Sequence, residues 1–124
     1  MTLPLLLLYL GRFLLGAAFV VSGLRNLSAI PGLTEAMEKK GLLPQPRIWM
    51  TVGVGIQIVG GVMVALGLFA ALGALALAVF VIFAAYLFHP VWEYSGAEQA
   101  PHLTAWLINT GLCGAFLVVM AISL

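Results

Sequence analysis

Between Trp49 and Phe88 the chain carries no charged side chain. A protein of 124 residues cannot enclose so long an apolar run in a water-soluble core. A bilayer accepts it as two spans of ~20 residues joined by a tight turn. Apolar segments of similar length flank it, at Leu3–Leu24 and Leu103–Leu124. The sequence therefore predicts an all-α integral membrane four-helix bundle with spans over residues 4–26, 48–67, 70–88 and 103–123. With 64% hydrophobic and 7% charged residues, too little charge is present to solvate a soluble surface. One core of this size implies a single domain over residues 1–124.

Several function classes fall away on the same grounds. Five Lys and Arg against four acidic residues leave no basic face for nucleic acid. Cys113 is the only cysteine, so no internal disulfide forms and cysteine usage does not indicate a compartment. The opening Met1-Thr2-Leu3-Pro4 has no basic n-region, and Arg12 interrupts the apolar stretch that follows. The first segment thus reads as a retained helix rather than a cleaved signal peptide.

The connector from Ser28 to Arg47 contains Thr34-Glu35-Ala36-Met37-Glu38-Lys39-Lys40-Gly41, which reads as a short interfacial helix. Its acidic residues come first, its basic residues last, and glycine stops it. Pro44-Gln45-Pro46 then separates it from the second span. Gly67 and Gly73 are the turn signals between the second and third spans. His89-Pro90 ends the third, because proline disfavours helical geometry in the residue before it. Four spans place the connector and the His89–Pro101 loop on one side, with both termini and the Gly67 turn on the other. Arg25, Lys39, Lys40 and Arg47 all belong to the first side, which the positive-inside rule makes cytoplasmic.

Polar groups at membrane depth are the candidates for function, because they are costly there. Arg12 lies about 12 Å into its helix at 1.5 Å per residue. It either snorkels to the nearby surface or turns inward. Its stripe of Gly16, Phe19, Gly23 and Asn26 at helical spacing favours the bundle. On the second span Gly53, Gln57 and Gly61 form a comparable face, and Gln57 falls at a depth that would let it meet Arg12. The bland alternative is a packing seam in which Gln57 bonds a backbone carbonyl. Trp106, Asn109, Cys113 and Phe116 share a face of the fourth span, where a lone cysteine is an inert small residue. Tyr86, His89, Glu93 and His102 gather where the third and fourth spans meet the interface. Histidine beside glutamate can relay protons, but the spacing matches no metal-ligand pattern, so no metal is expected. No nucleotide loop, nucleophile elbow or zincin motif occurs, and no catalytic residue can be named.

Gly11-Arg12-Phe13-Leu14-Leu15-Gly16 with Phe19 and Ser22-Gly23-Leu24 opens a longer pattern. It continues through Met37 to Gly41, Pro44, Gly60-Gly61, Leu66-Gly67-Leu68-Phe69 and Phe88-His89-Pro90-Val91-Trp92, and closes with Asn109. In order and spacing this resembles the DoxX family of small four-helix bacterial membrane proteins. The family is described as oxidoreductases or subunits of quinone-linked and thiol-linked redox systems. The resemblance implies a multi-pass protein of the bacterial cytoplasmic (inner) membrane, with Arg12, Gln57 and His89 near a quinone or lipid headgroup. Two further readings stand beside it. One is a non-catalytic accessory or assembly subunit that packs against a larger membrane complex or a second copy of itself. The other is a small-solute transporter. The chain departs from many relatives where Gln57 replaces a glutamate, where no basic residue follows Leu68-Phe69, and where Ile108 replaces a lysine. These changes remove an ion partner for Arg12.

Overall fold

The computed structural model describes all residues, 1–124. Five α-helices account for nearly the whole chain: α1 Leu3–Leu27, α2 Ile30–Lys40, α3 Pro46–Leu66, α4 Ala70–Phe88 and α5 Gln99–Ser123. Helices α1, α3, α4 and α5 are each long and apolar enough to cross a membrane, so the protein is an all-α multi-pass membrane bundle.

Prolines set several of the boundaries. Pro4, Pro31 and Pro46 each occupy a first helical turn, where a missing N–H is harmless and φ is already helical. Pro31 therefore starts α2 four residues before the position that the charge pattern suggested. Glu35 consequently lies in the second turn, where it pairs with exposed Lys39 at 3.4 Å. Pro101 likewise sits inside α5, which begins at Gln99 rather than at Leu103. Gly41 and Gly67 end α2 and α3 in the left-handed conformation, φ 66° and 74°. At the second of these, Leu68 N–H closes on the Met63 carbonyl at 2.9 Å, a glycine-terminated helix end.

Each spanning helix packs on the next, α1 on α3, α3 on α4 and α4 on α5. Between α1 and α3 the contact is backbone on backbone. A Cβ at Gly61 would fall 2.7 Å from the Gly16 carbonyl oxygen, and one at Gly16 would strike Gly61 and Ala65. Gly60, turned about 100° from Gly61, faces α4 instead, where a Cβ at Gly73 would fall 3.1 Å from its carbonyl oxygen, a looser approach than that of α1. Adjacent glycines thus let α3 touch two neighbours at once. Helix α5 closes the bundle through side chains. Phe116 is fully buried among Val64, Ala74, Leu77 and Val81 and meets the Phe19 ring edge-on at 5.1 Å.

The register of α1 against α3 carries the main functional consequence. Gly16 lies against Gly61 and Ala65, and Gly23 against Gln57 and Ile58, so α1 is displaced toward the Gly67 turn. At the opposite end, α2 takes the place beside α3 that α1 leaves. Its Met37 is fully buried against Met50 and Leu87.

Candidate functional site

Gln57 is the one strongly buried amide of a spanning helix, 4% exposed. Its carbonyl oxygen accepts from Asn26 Nδ2 at 3.1 Å, and its Nε2 donates to Ser22 Oγ at 3.1 Å. Ser22 and Asn26 are one turn apart on α1, so a single amide from α3 is clamped by two consecutive turns of its neighbour. In a medium that offers no water, such pairing is what makes a mid-helix amide tolerable.

The expected contact between Arg12 and Gln57 does not form. Flush helix ends would bring the two residues level, but α1 is displaced along α3 toward the Gly67 turn. Arg12 instead lies beside Gly67, with its Cζ 2.8 Å from where a Cβ there would sit, and 5.4 Å from the Tyr9 ring centroid. Gln57 and Arg12 occupy different ends of the bundle.

On the connector side a cavity of about 550 Å³ lies between α3 and α4. The glycine contact between α3 and α4 lies toward the Gly67 turn, whereas at the connector end Met37 of α2 packs against Met50 and Leu87. Trp49, Met50, Gly53 and Gln57 of α3 line one wall, Phe80, Phe83 and Leu87 of α4 the other, with Leu33 of α2 and Leu43 closing the connector end. Buried Val54 and Leu87 lie deep in it, whereas Val52, Val79 and Phe83 also face outward. The cavity therefore opens sideways, toward lipid. A second, wholly apolar hollow on the outer face of α3 and α4 shares Val52 and Ile56 with it.

Four polar side chains reach the cavity: Asn26, Gln57, His89 and Asn109. None carries a formal charge as a rule. Asn109 Nδ2 donates to the Val81 carbonyl at 3.3 Å, which leaves its own carbonyl oxygen uncommitted. With Nδ2 engaged by Gln57, Asn26 likewise retains a free oxygen. His89 and Gln57, both singled out from the sequence, are thus brought to one cavity, whereas Arg12 is not. The parts taken by Asn26 and Asn109 depend on helix register, which their place on polar helix faces, and that of Asn109 in the family pattern, do not determine.

At the mouth of the connector side His89 Nδ1 and His102 Nδ1 are 3.1 Å apart. This contact requires one of the two nitrogens to carry the proton and the other to accept. The His102 ring is stacked on Tyr94 at 4.3 Å, and Trp106 Nε1 donates to the His89 carbonyl at 2.6 Å. Lys40 donates to the Leu87 carbonyl, so the end of α4 is held by α2 and α5 together. Glu93, grouped with the histidines by sequence, is exposed and makes no ion pair or side-chain hydrogen bond.

Comparison with known proteins agrees with the architecture. The DoxX family model matches residues 7–90, a stretch that includes Asn26, Gln57 and His89 and ends before α5. The inner membrane protein YphA of Escherichia coli (strain K12) is 23% identical over 116 residues, covering 94% of this chain and 81% of that protein. No solved structure matches the chain. With the family model extending over well more than half of its length, the chain belongs to the DoxX family.

Proposed function

We propose that this protein is a redox-associated subunit of the bacterial inner membrane that holds a quinone headgroup in the connector-side cavity and works with a partner. The observation that carries this reading is the cavity itself. It is mostly apolar, lies within the usual 300–1,000 Å³ of small-molecule sites, opens toward lipid, and converges on four neutral polar groups. A headgroup with two carbonyls needs donors rather than countercharges. His89 and the remaining N–H of Gln57 can provide them, and Asn26 and Asn109 can accept from the hydroxyls of the reduced form. When bound, a quinone supplies two-electron, two-proton redox capacity. The chain's own part is to orient the ring, exclude water and move a proton. The His89–His102 contact joins the cavity to the connector surface, and exchange of their tautomers passes a proton along it.

YphA is an inner membrane protein, which supports the same membrane here. The connector, with Arg25, Lys39, Lys40 and Arg47 at its side, is placed in the cytoplasm by the charge bias. Purification in mild detergent followed by extraction tests the cofactor. The expected result is a stoichiometric quinone that Gln57→Leu and His89→Leu each reduce about tenfold. Recovery of protein without quinone, together with no saturable quenching of tryptophan fluorescence by added quinone, would count against it.

The accessory reading is favoured by one separate observation. Gly111 and Gly114 on α5 meet nothing within 4 Å, although glycines on spanning helices ordinarily serve close helix contacts. That face suits a further helix, from a larger complex or from a second copy of the chain. The two readings are compatible in a subunit that binds a quinone beside a catalytic partner.

A further inference from the structure

Arg12 is left unexplained by the cavity. It is the only Lys or Arg on the end of the bundle that holds the Gly67 turn. All four acidic residues, Glu35, Glu38, Glu93 and Glu98, belong to the connector and the loop at the opposite end. No side chain or carbonyl of the protein accepts a hydrogen bond from it, and its Nε is buried without a partner. An unpaired guanidinium in apolar surroundings is costly. With Nε sealed, its two terminal NH2 groups must find their acceptors outside the chain.

The surroundings hold the guanidinium in one place. Gly67 gives it room, because a Cβ there would fall 2.8 Å from Cζ and 2.5 Å from Nη2. Tyr9, three residues back on α1, lies alongside at 5.4 Å. The carbonyl end of α3 adds a favourable dipole but no hydrogen bond. Beyond Arg12, helix α1 continues through Leu3–Gly11, about 13 Å at 1.5 Å per residue, while α3 and α4 have already turned. The result is a step in the surface. Its floor is the apolar turn of Leu66, Leu68 and Phe69, all exposed, and its back wall is α1. Two parallel N–H donors of a fixed guanidinium match an oxyanion, and the exposed leucines and phenylalanine match acyl chains.

We propose that Arg12, seated on the Gly67 turn, is a binding site for the phosphate of an anionic membrane lipid, separate from the cavity at the other end. The site needs nothing from the quinone reading and stands or falls without it.

Thermal unfolding of the full chain in non-ionic detergent, with added phosphatidylglycerol, phosphatidylcholine or inorganic phosphate, tests the proposal, with native mass spectrometry to count bound lipid. Phosphatidylglycerol is expected to raise Tm above phosphatidylcholine and to bind about tenfold more tightly, and inorganic phosphate is expected to have no comparable effect. Arg12→Gln should abolish the preference, and Arg12→Lys, which keeps charge but loses the fork, should retain part of it. Arg25→Gln and Arg47→Gln, both exposed at the other end, should leave it intact. Equal binding of the two lipids by the unsubstituted protein overturns the site, a result that does not depend on any variant folding. A preference that survives Arg12→Gln also overturns it. Protection by inorganic phosphate equal to that by phosphatidylglycerol overturns the lipid as its occupant.

Discussion

The two ends of α3 solve opposite problems with the same kind of residue. Toward the Gly67 turn, Gly61 lets α1 come into backbone contact and Gly60 lets α4 approach closely. Toward the connector, a Cβ at Gly53 would stand in ordinary contact with Phe80, 3.4 Å from its ring, and the space beside it is a cavity. Glycine near the turn removes a clash, whereas glycine near the connector leaves a room. A glycine face on a spanning helix therefore does not by itself distinguish packing from binding. What distinguishes them is whether the neighbouring helix is drawn in to fill the space.

This contrast has measurable consequences. Gly16→Leu or Gly61→Leu must force α1 and α3 apart, since the added atoms meet backbone rather than a flexible side-chain end. A loss of about 3 kcal/mol or more is expected, at the upper end of overpacking, and should appear as loss of monodisperse protein in detergent. An effect below 1 kcal/mol would show that the close register of α1 and α3 is wrong.

Gln57→Leu should cost less, although the residue is buried. It breaks two interhelical hydrogen bonds, each averaging about 0.6 kcal/mol in membrane proteins, so unfolding should shift by about 1 kcal/mol while ligand binding suffers far more. Equal losses in the two would mean that the amide serves packing alone.

Smaller still is the pairwise term. Asn26→Ala combined with Gln57→Ala should show a coupling of about 0.6 kcal/mol. Arg12→Leu combined with Gln57→Leu should be additive, because the two side chains occupy different ends. Coupling in the second pair, measured by unfolding of the four variants, would restore the shared site that the sequence suggested.

Gly114→Leu should leave monomer stability almost unchanged, since nothing lies within 4 Å of it, yet lower any association measured by sedimentation or copurification. A stability loss comparable to that of Gly16→Leu would place a contact there within the monomer itself.

Much of this fold could be read from the sequence because span length and the absence of charge are local properties. The four spans, the connector helix and the proline and glycine stops all follow from short windows. The placement of the site did not, for one physical reason. The level at which Arg12, Ser22 and Asn26 meet α3 depends on how far α1 slides along it, and that slide is fixed by the fit of Gly16 on Gly61 and Ala65. Gln57, the contact that spacing allows for Arg12, therefore lies some ten residues along α3 from the turn that Arg12 touches. Gln57 could be singled out because a buried amide is conspicuous in an apolar run. Its partners Ser22 and Asn26 could not, because small polar residues near a helix end are ordinary. His89 and His102 were grouped by proximity to the interface, but only the turn from α4 into α5 brings their rings together.

The cavity's role as a headgroup site is tested most directly by filling it without disturbing the fold. Gly53→Leu places an isobutyl group beside Phe80, where Cβ meets ordinary contact, and removes a glycine from a helix interior, which alone is stabilising. Quenching of tryptophan fluorescence by a short-chain quinone, titrated against the unsubstituted protein and Gly53→Leu with unfolding followed in parallel, gives both quantities. Saturable quenching that weakens at least tenfold in Gly53→Leu, at unchanged or raised Tm, is the expected outcome. Saturable quenching of equal strength in the two proteins would place the quinone elsewhere and leave the cavity without the role assigned to it.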